Sequence, residues 1–397
     1  MTQISADEIQ GFYLRSSAAS ADMVLFFVSM CLCGKDWIMT RLFENIRTKI
    51  ENGARLSDAE ALELFASDDL LAIGELAALA NRRQNDNKVY FNVNRHINYT
   101  NLCVNRCTFC AFSRGVDDEG CYTLALNDIL EKCAEASAAG ATEIHMVGGL
   151  HPDLPFDFYL EMLAAIRSDN PQLHIKAFTA VEIDYFARIT GQSVEQVITE
   201  LKEAGLGSMP GGGAEILGER VRAQICPEKI SGERWLEVTE TVHRAGLKTN
   251  ATMLFGHVEA YADRVDHLAK LRALQDRTGG FQAFIPLAFQ PDNTRVPGAK
   301  GVGGVDALKT LAISRLYLDN FRHVKAYWVM LGLKIAQVAL AFGVNDLDGT
   351  VVEEKIGHDA GADSPQALAK EQIVGLIRKA GKAPVERDTL YKELKVF

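Results

Sequence analysis

The sequence predicts an α/β protein: a (β/α)8 barrel of the TIM type, with helices before it and a helical segment after it. Three observations carry that prediction. From residue 89 onward, short β-rich runs alternate eight times with helical stretches. The 397 residues suffice for such a barrel with additions, whereas a doubly wound sheet normally uses fewer strands. The distinctive glycine-rich and polar segments also follow predicted strands, at the end where such barrels carry their chemistry.

Residues 1–38 stand apart. Met23–Cys33 reads MVLFFVSMCLC, an apolar run too short to span a bilayer, with no basic leader before it and no small-residue cleavage site. The pattern starts afresh at Met39. We expect residues 1–38 to be an extension or a misplaced start that packs poorly on the barrel. A membrane-touching segment is the alternative. Residues 39–88 read as helices: Leu42, Ile46 and Ile50 repeat at helical spacing, and Ser57 stands three residues before Glu60, a capping box. Strands are predicted at Val89–Asn94, Glu143–Val147, His174–Phe178, Gly207–Met209, Thr249–Leu254, Phe281–Pro286, His323–Tyr327 and Gln337–Leu340. The barrel should therefore fill residues 89–360 and the C-terminal helical segment residues 361–397.

Composition narrows the function. Apolar residues make up 48% and charged residues 24%, the proportions of a globular protein with a large core. The formal net charge of −10 argues against a nucleic-acid partner. No segment reads as membrane-inserted. Of the eight cysteines, three crowd into one loop, which points to a metal or redox site in a reducing cytoplasm rather than a disulfide framework.

That loop, after the first strand, reads NYTNLCVNRCTFCAFSR, and Cys103, Cys107 and Cys110 have the spacing C-x3-C-x2-C. Thiolates suit iron–sulfur clusters or zinc. A structural zinc site wants four protein ligands, so a zinc loop would need a fourth such as His96 or Cys121. On a four-iron cluster, three cysteines leave one iron open to a substrate.

The spacing and its place after the first strand resemble the radical S-adenosylmethionine (SAM) superfamily. The resemblance implies a [4Fe–4S] cluster on Cys103, Cys107 and Cys110, with SAM chelated at the open iron and Phe109 near its adenine. It implies that the backbone of Gly148 and Gly149, in VGGLHPDLP, receives the SAM amino group. The superfamily's GGE-like turn has an acid where this chain has Leu150.

Further segments are HIKAFTAVEIDYFA (His174–Ala187), SMPGGGAEI (Ser208–Ile216), ICPEKIS (Ile225–Ser231), TNATMLFGHVE (Thr249–Glu259), GGFQAFIPLAFQP (Gly279–Pro291) and NDLDGTVVEEKIGHDAGA (Asn345–Ala362). Together, from Met39 to the C-terminus, they resemble the aminofutalosine synthases of the futalosine route to menaquinone. The implied reaction adds the 5′-deoxyadenosyl group of SAM to 3-[(1-carboxyvinyl)oxy]benzoate, with aryl migration and decarboxylation. Its products are aminofutalosine, methionine and bicarbonate. An electron donor such as flavodoxin or ferredoxin would be needed. The alternative is cyclic dehypoxanthine futalosine synthase, or another sister enzyme in which SAM only abstracts hydrogen.

Polar candidates for this chemistry follow. Glu182 and Glu215 are expected to accept hydrogen bonds from the SAM ribose. Gly211, Gly212 and Gly213 permit close backbone approach to a ligand. His151, His257 and Arg114 are candidates for the two substrate carboxylates. Asp346 and Asp348 would close the mouth or cap a helix. Phe178, Met209, Met253, Phe284 and Phe289 are candidate apolar lining.

Overall fold

The computed structural model describes residues 41–397. The expectation for residues 1–38 lies outside the described residues. The chain divides into two compact units, one ending at Ala54 and one running from Arg55 to Phe397. In the first, the described part is a helix, α1, over residues 41–52. The second opens with α2 (Asp58–Ala66) and α3 (Leu70–Asn85). The expected capping box is present: Glu60 N–H donates to Ser57 Oγ, and Ser57 N–H donates to the Glu60 carboxylate at 2.8 Å.

Seven strands form one parallel sheet in the order β2-β3-β4-β5-β6-β7-β8. They are β2 (Asn94–Ile97), β3 (Glu143–Met146), β4 (His174–Ala177), β5 (Ser208–Met209), β6 (Lys248–Phe255), β7 (Phe281–Ala288) and β8 (His323–Val324). Helices separate them in sequence, as parallel pairing requires. A further strand, β9 (Asp346–Gly349), bridges the two ends of the sheet. On one side Lys325 forms a parallel bridge with Asp346, and on the other Arg95 does so with Val352. Side chains complete that seam: Thr350 Oγ1 donates to Asn94 O at 2.7 Å, and Val351 N–H donates to Asn94 Oδ1 at 2.9 Å. The eight-stranded parallel barrel is thereby closed, by isolated bridges and side chains where the other joints are ladders.

Two strand assignments differ from the sequence reading. The barrel starts at Asn94, not Val89. The stretch Lys88–Asn92 is β1, which pairs with β9 and with β10 (Ala383–Arg387) in a second sheet that β11 (Glu393–Val396) completes, in the order β11-β10-β1-β9. Gln337–Leu340 is not the eighth strand; it falls at the end of a helix, Trp328–Ala339. A short apolar run does not distinguish strand from helix, and the true eighth strand, DLDG, carries no β-rich signal. The C-terminal segment holds the helix Lys370–Lys379 and also β10 and β11 (Glu393–Val396), which extend the second sheet. No helix among the described residues is long and apolar enough to cross a membrane.

The barrel interior is ionic as well as apolar. Glu143 on β3 and Lys176 on β4 are 1% and 2% exposed and pair at 2.7 Å. Lys325 pairs with Asp348 at 2.5 Å, and Arg387 with Asp346 at 2.8 Å. Burial opposes the charge on Glu143, yet Lys176, Lys325 and Arg387 hold its carboxyl well below the ordinary range. Removing one partner of such a pair leaves an uncompensated buried charge, costing about 3–5 kcal/mol. Lys176→Met should therefore lower stability by roughly that amount, and adding Glu143→Leu should restore most of it. The urea unfolding midpoint is the readout, and a single variant as stable as the parent would contradict the ionised pair.

Candidate active site

At the C-terminal ends of the strands lies a cavity of about 290 Å³. Cys103, Cys107 and Cys110 all line it, as do Phe109, Gly148, Gly149, Glu182, Gly211, Gly212, Gly213 and Glu215.

The cysteine loop is pinned at its base and near its tip. Cys103 N–H donates to Arg114 O at 3.0 Å, and Val104 N–H to Leu150 O at 2.9 Å. Thr108 N–H donates to Ile225 O at 2.8 Å, and Arg295 donates to the carbonyls of Arg106 and Cys107. Gly149 lets the second loop close onto the first: a Cβ there would lie 2.1 Å from Leu102 O and 3.0 Å from Cys103 Cβ. All three thiols are free of disulfides. Burial pushes the Cys107 thiol up to about 12 and raises that of Cys103. Such thiols ionise when a cation replaces the proton.

Among the described residues, no three His, Cys, Asp or Glu side chains converge tightly enough to hold one metal ion. Of the two candidate fourth ligands for a zinc loop, Cys121 donates its S–H to Val116 O, and His96 shares the cavity wall but does not converge with the thiols on one point. Three thiols around one cavity, without a fourth, suit a cluster whose thiolates bind different irons.

The two glutamates differ. Glu182 is on a helix, α4 (Ala180–Thr190), not at a strand end. Its Oε1 accepts from Tyr99 O–H at 2.5 Å and from Gly148 N–H at 3.3 Å. Its Oε2 accepts Thr179 N–H at 2.7 Å, completing a capping box. Burial raises its pKa against those hydrogen bonds. Glu215 instead holds Lys229 Nζ at 2.7 Å through Oε1, and no described group donates to its Oε2. Lys229 also stands 5.0 Å over the Phe109 ring. Burial opposes its charge, but Glu215, Cys107 and Cys226 together raise its pKa above that of an ordinary lysine.

The turn after β3 suits an ammonium ligand. Gly149 N–H donates to Thr100 O at 2.9 Å and Gly148 N–H to Glu182, so both donors are engaged. No described group donates to the carbonyls of Gly148 or Gly149.

Three expected carboxylate binders do not reach the cavity. His151 Nδ1 accepts the N–H groups of Asp153 and Leu154 at 3.0 and 3.1 Å, tying down its own turn. The His257 ring lies between Leu254 O, Val258 N–H and Glu259. Arg114 donates to the carbonyls of Ala111 and Ser113. Asp346 and Asp348 neither close the mouth nor cap a helix. Both are on β9, in the ion pairs described above, and Asp348 lines the cavity. Of the aromatic and methionine candidates only Phe289 lines the cavity; Phe178, Met209, Met253 and Phe284 are buried outside its lining.

Sequence reasoning had His96 only as a candidate zinc ligand, and it missed His145 and Lys229. The two histidines had a signal: NRHI and EIHM each carry histidine third, and parallel pairing in register sets them side by side. Lys229 lay in the segment ICPEKIS, but nothing in its spacing marked it, because it comes from a loop beyond the helix Glu219–Ile225.

Comparison with known proteins agrees with this geometry. A family profile described as Radical SAM superfamily matches residues 97–271, and one described as CofH/MqnC C-terminal region matches residues 278–396. The chain is 45% identical to an aminodeoxyfutalosine synthase of Thermus thermophilus, over 89% of this chain and 96% of that protein. It is 44% identical to a 5-amino-6-(D-ribitylamino)uracil–L-tyrosine 4-hydroxyphenyl transferase of Methanopyrus kandleri, over 78% of this chain and 85% of that one. A solved structure of methylornithine synthase superposes with a TM-score of 0.69 at 16% identity, covering 85% of this chain and 97% of that one, and so shares the fold. The chain belongs to the radical SAM superfamily, in the family that includes the aminodeoxyfutalosine synthases.

Proposed function

We propose that this chain is an aminodeoxyfutalosine synthase, which joins the adenosyl part of SAM to 3-[(1-carboxyvinyl)oxy]benzoate and releases methionine and bicarbonate. The observation that carries this reading is the 45% identity to the Thermus enzyme across nearly the full length of both, on a cavity lined by the three cysteines.

Cys103, Cys107 and Cys110 would hold a [4Fe–4S] cluster with one iron left for SAM. Bound there, the cluster supplies the electron that breaks a carbon–sulfur bond of SAM. The remaining work falls to the chain. The partnerless carbonyls of Gly148 and Gly149 accept the SAM ammonium. Glu215 accepts the ribose hydroxyls through Oε2, and Lys229 orients that carboxylate. Phe109 offers its ring to the adenine. Glu182 acts by positioning: it anchors Gly148, and with it the turn that meets SAM. Val181, Leu254, Ile285 and Leu287 line the cavity with apolar surface that excludes water and stray hydrogen donors. Six free described cysteines support a reducing cytoplasmic setting, where flavodoxin or ferredoxin would deliver the electron.

A second reading is a sister enzyme, such as a cyclic dehypoxanthine futalosine synthase, in which SAM only abstracts hydrogen. The fate of the adenosyl carbons separates the two. With ribose-labelled SAM, enolpyruvyl-benzoate and a reductant under anaerobic conditions, label should enter aminofutalosine at one adenosyl group per turnover. Label confined to 5′-deoxyadenosine would favour the second reading.

The ligand set has its own test. Cys103→Ala, Cys107→Ala and Cys110→Ala should each abolish the four-iron cluster, while Cys133→Ala and Cys226→Ala should keep it. Iron per chain and absorption near 400 nm are the measurements, and a full cluster in any of the first three variants would refute the assignment. Glu215→Gln should weaken SAM binding about ten- to a hundredfold, the loss of a charge-assisted hydrogen bond. Unchanged SAM affinity would show that Glu215 does not hold the ribose.

A further inference from the structure

The proposed substrate carries two carboxylates, and the cavity must answer them. Three residues in its wall have basic nitrogens: Lys229, His96 and His145. Lys229 is bound to Glu215. The acids in the wall are engaged too, Asp348 with Lys325 and Glu354 with His358. The two histidines remain.

Their placement follows from the strands. In the β2–β3 ladder, His96 is the direct partner of His145. The rings stack 4.3 Å apart, 12° from parallel. His96 is 5% exposed, and its Nε2 has no hydrogen-bond partner. Neither ring nitrogen of His145 bonds to any described group. A buried imidazole nitrogen without a partner is costly unless a ligand supplies one. His151, His174, His243, His257, His267, His323 and His358 all have hydrogen-bond partners, so this pair departs from the way the fold treats its other histidines.

We propose that His96 and His145 form the receptor for the benzoate carboxylate of the aromatic substrate. The inference rests on the functional reading above and deepens it. The enol ether must meet the adenosyl carbon near the cysteine loop, and the enolpyruvyl carboxylate is attached at that reacting end. The ring carboxylate is the remote end, and the two strands carry the histidines just before the loops that bear Cys103 and Gly148. Two parallel imidazoles 4.3 Å apart can place an N–H on each oxygen of one carboxylate. Both sit on barrel strands, which fix a ligand more tightly than loops do. The charges around them are internally balanced: Glu143 with Lys176, Asp348 with Lys325 and Glu354 with His358. The pair therefore decides whether an anion is accepted.

The test is calorimetric binding to the cluster-loaded enzyme with SAM present and reductant absent, so that nothing turns over. Two probes are used: enolpyruvyl-benzoate and its analogue lacking the ring carboxylate, 1-carboxyvinyl phenyl ether. The parent should bind the first about ten- to a hundredfold more tightly than the second. His145→Phe keeps a ring to stack on His96 but removes the nitrogens, and it should bind both probes alike, with SAM affinity unchanged. His145→Gln retains a donor and should recover part of the preference; if the Phe variant fails to fold, the same measurement on His145→Gln and His96→Gln decides, each expected to narrow the preference. Variants that discriminate between the probes as the parent does would overturn this inference alone. A parent that binds neither probe would overturn the functional reading and the inference with it.

Discussion

The barrel keeps six ionised groups inside it, and the cavity rests on them. Glu143–Lys176 joins β3 to β4, Lys325–Asp348 joins the end of β8 to β9, and Arg387–Asp346 ties β9 to β10. Each charge would be prohibitive alone, because removing an ion from water costs several kcal/mol even after relaxation. Paired, each fixes a direction and a distance. Burial works against the charge on Asp348, yet Lys325 holds its carboxyl down at about 2. Because Lys325 follows β8 and Asp348 is on β9, that ion pair also spans the joint where the barrel lacks a continuous ladder.

Non-glycine residues of positive φ cluster where the chain leaves β9 for its seam with β2. Asp348, Val351 and Glu353 have φ of 66°, 47° and 62°. A β-branched valine in the left-handed region is a true outlier, kept only where surrounding bonds over-determine it. Here Asn94 takes Val351 N–H, Thr350 bonds to both the N–H and the carbonyl of Asn94, and Glu353 accepts from Arg95 and Lys132. The distortion turns the chain from β9 across the end of β2 and carries Glu354, Ile356 and Gly357 to the cavity wall. Phe178 and Glu215, at φ of 61° and 46°, make comparable turns after β4 and β5. The cavity is thus edged by strained turns set on a rigid ionic base.

This division explains what was legible in the sequence. The cysteine loop could be read because its chemistry is local: three thiols within eight residues form one loop wherever the strands lie. The glycine turns were legible for a similar reason, since Gly149 and Gly213 answer to close approach and to φ of 84°, constraints only glycine meets easily. The eighth strand was not legible, because DLDG is held by partners 41 and 23 residues away rather than by β propensity. His151 and His257 stood beside glycines at the right end of the barrel. Nearby backbone nonetheless takes Nδ1 of His151 and both ring nitrogens of His257, which spacing along the chain does not reveal.

The contrast between Glu182 and Glu215 makes the same point about acids. Both follow glycine-permissive or capping segments at the ligand-binding end, and both line the cavity. A carboxylate has about four acceptor sites, so its availability depends on what already donates to it. Three groups donate to Glu182, across both of its oxygens, and all three belong to the fold: Tyr99, Gly148 and Thr179. One cation donates to Glu215, through one oxygen, and that cation also stands over Phe109. The first glutamate therefore transmits order from the barrel to the glycine turn. The second keeps a free oxygen beside a fixed cation and an aromatic ring. Acid for acid, the sequence offers no way to tell them apart. The difference arises only in the fold, which brings Tyr99 to Glu182 from 83 residues away and Lys229 to Glu215 from a loop 14 residues on.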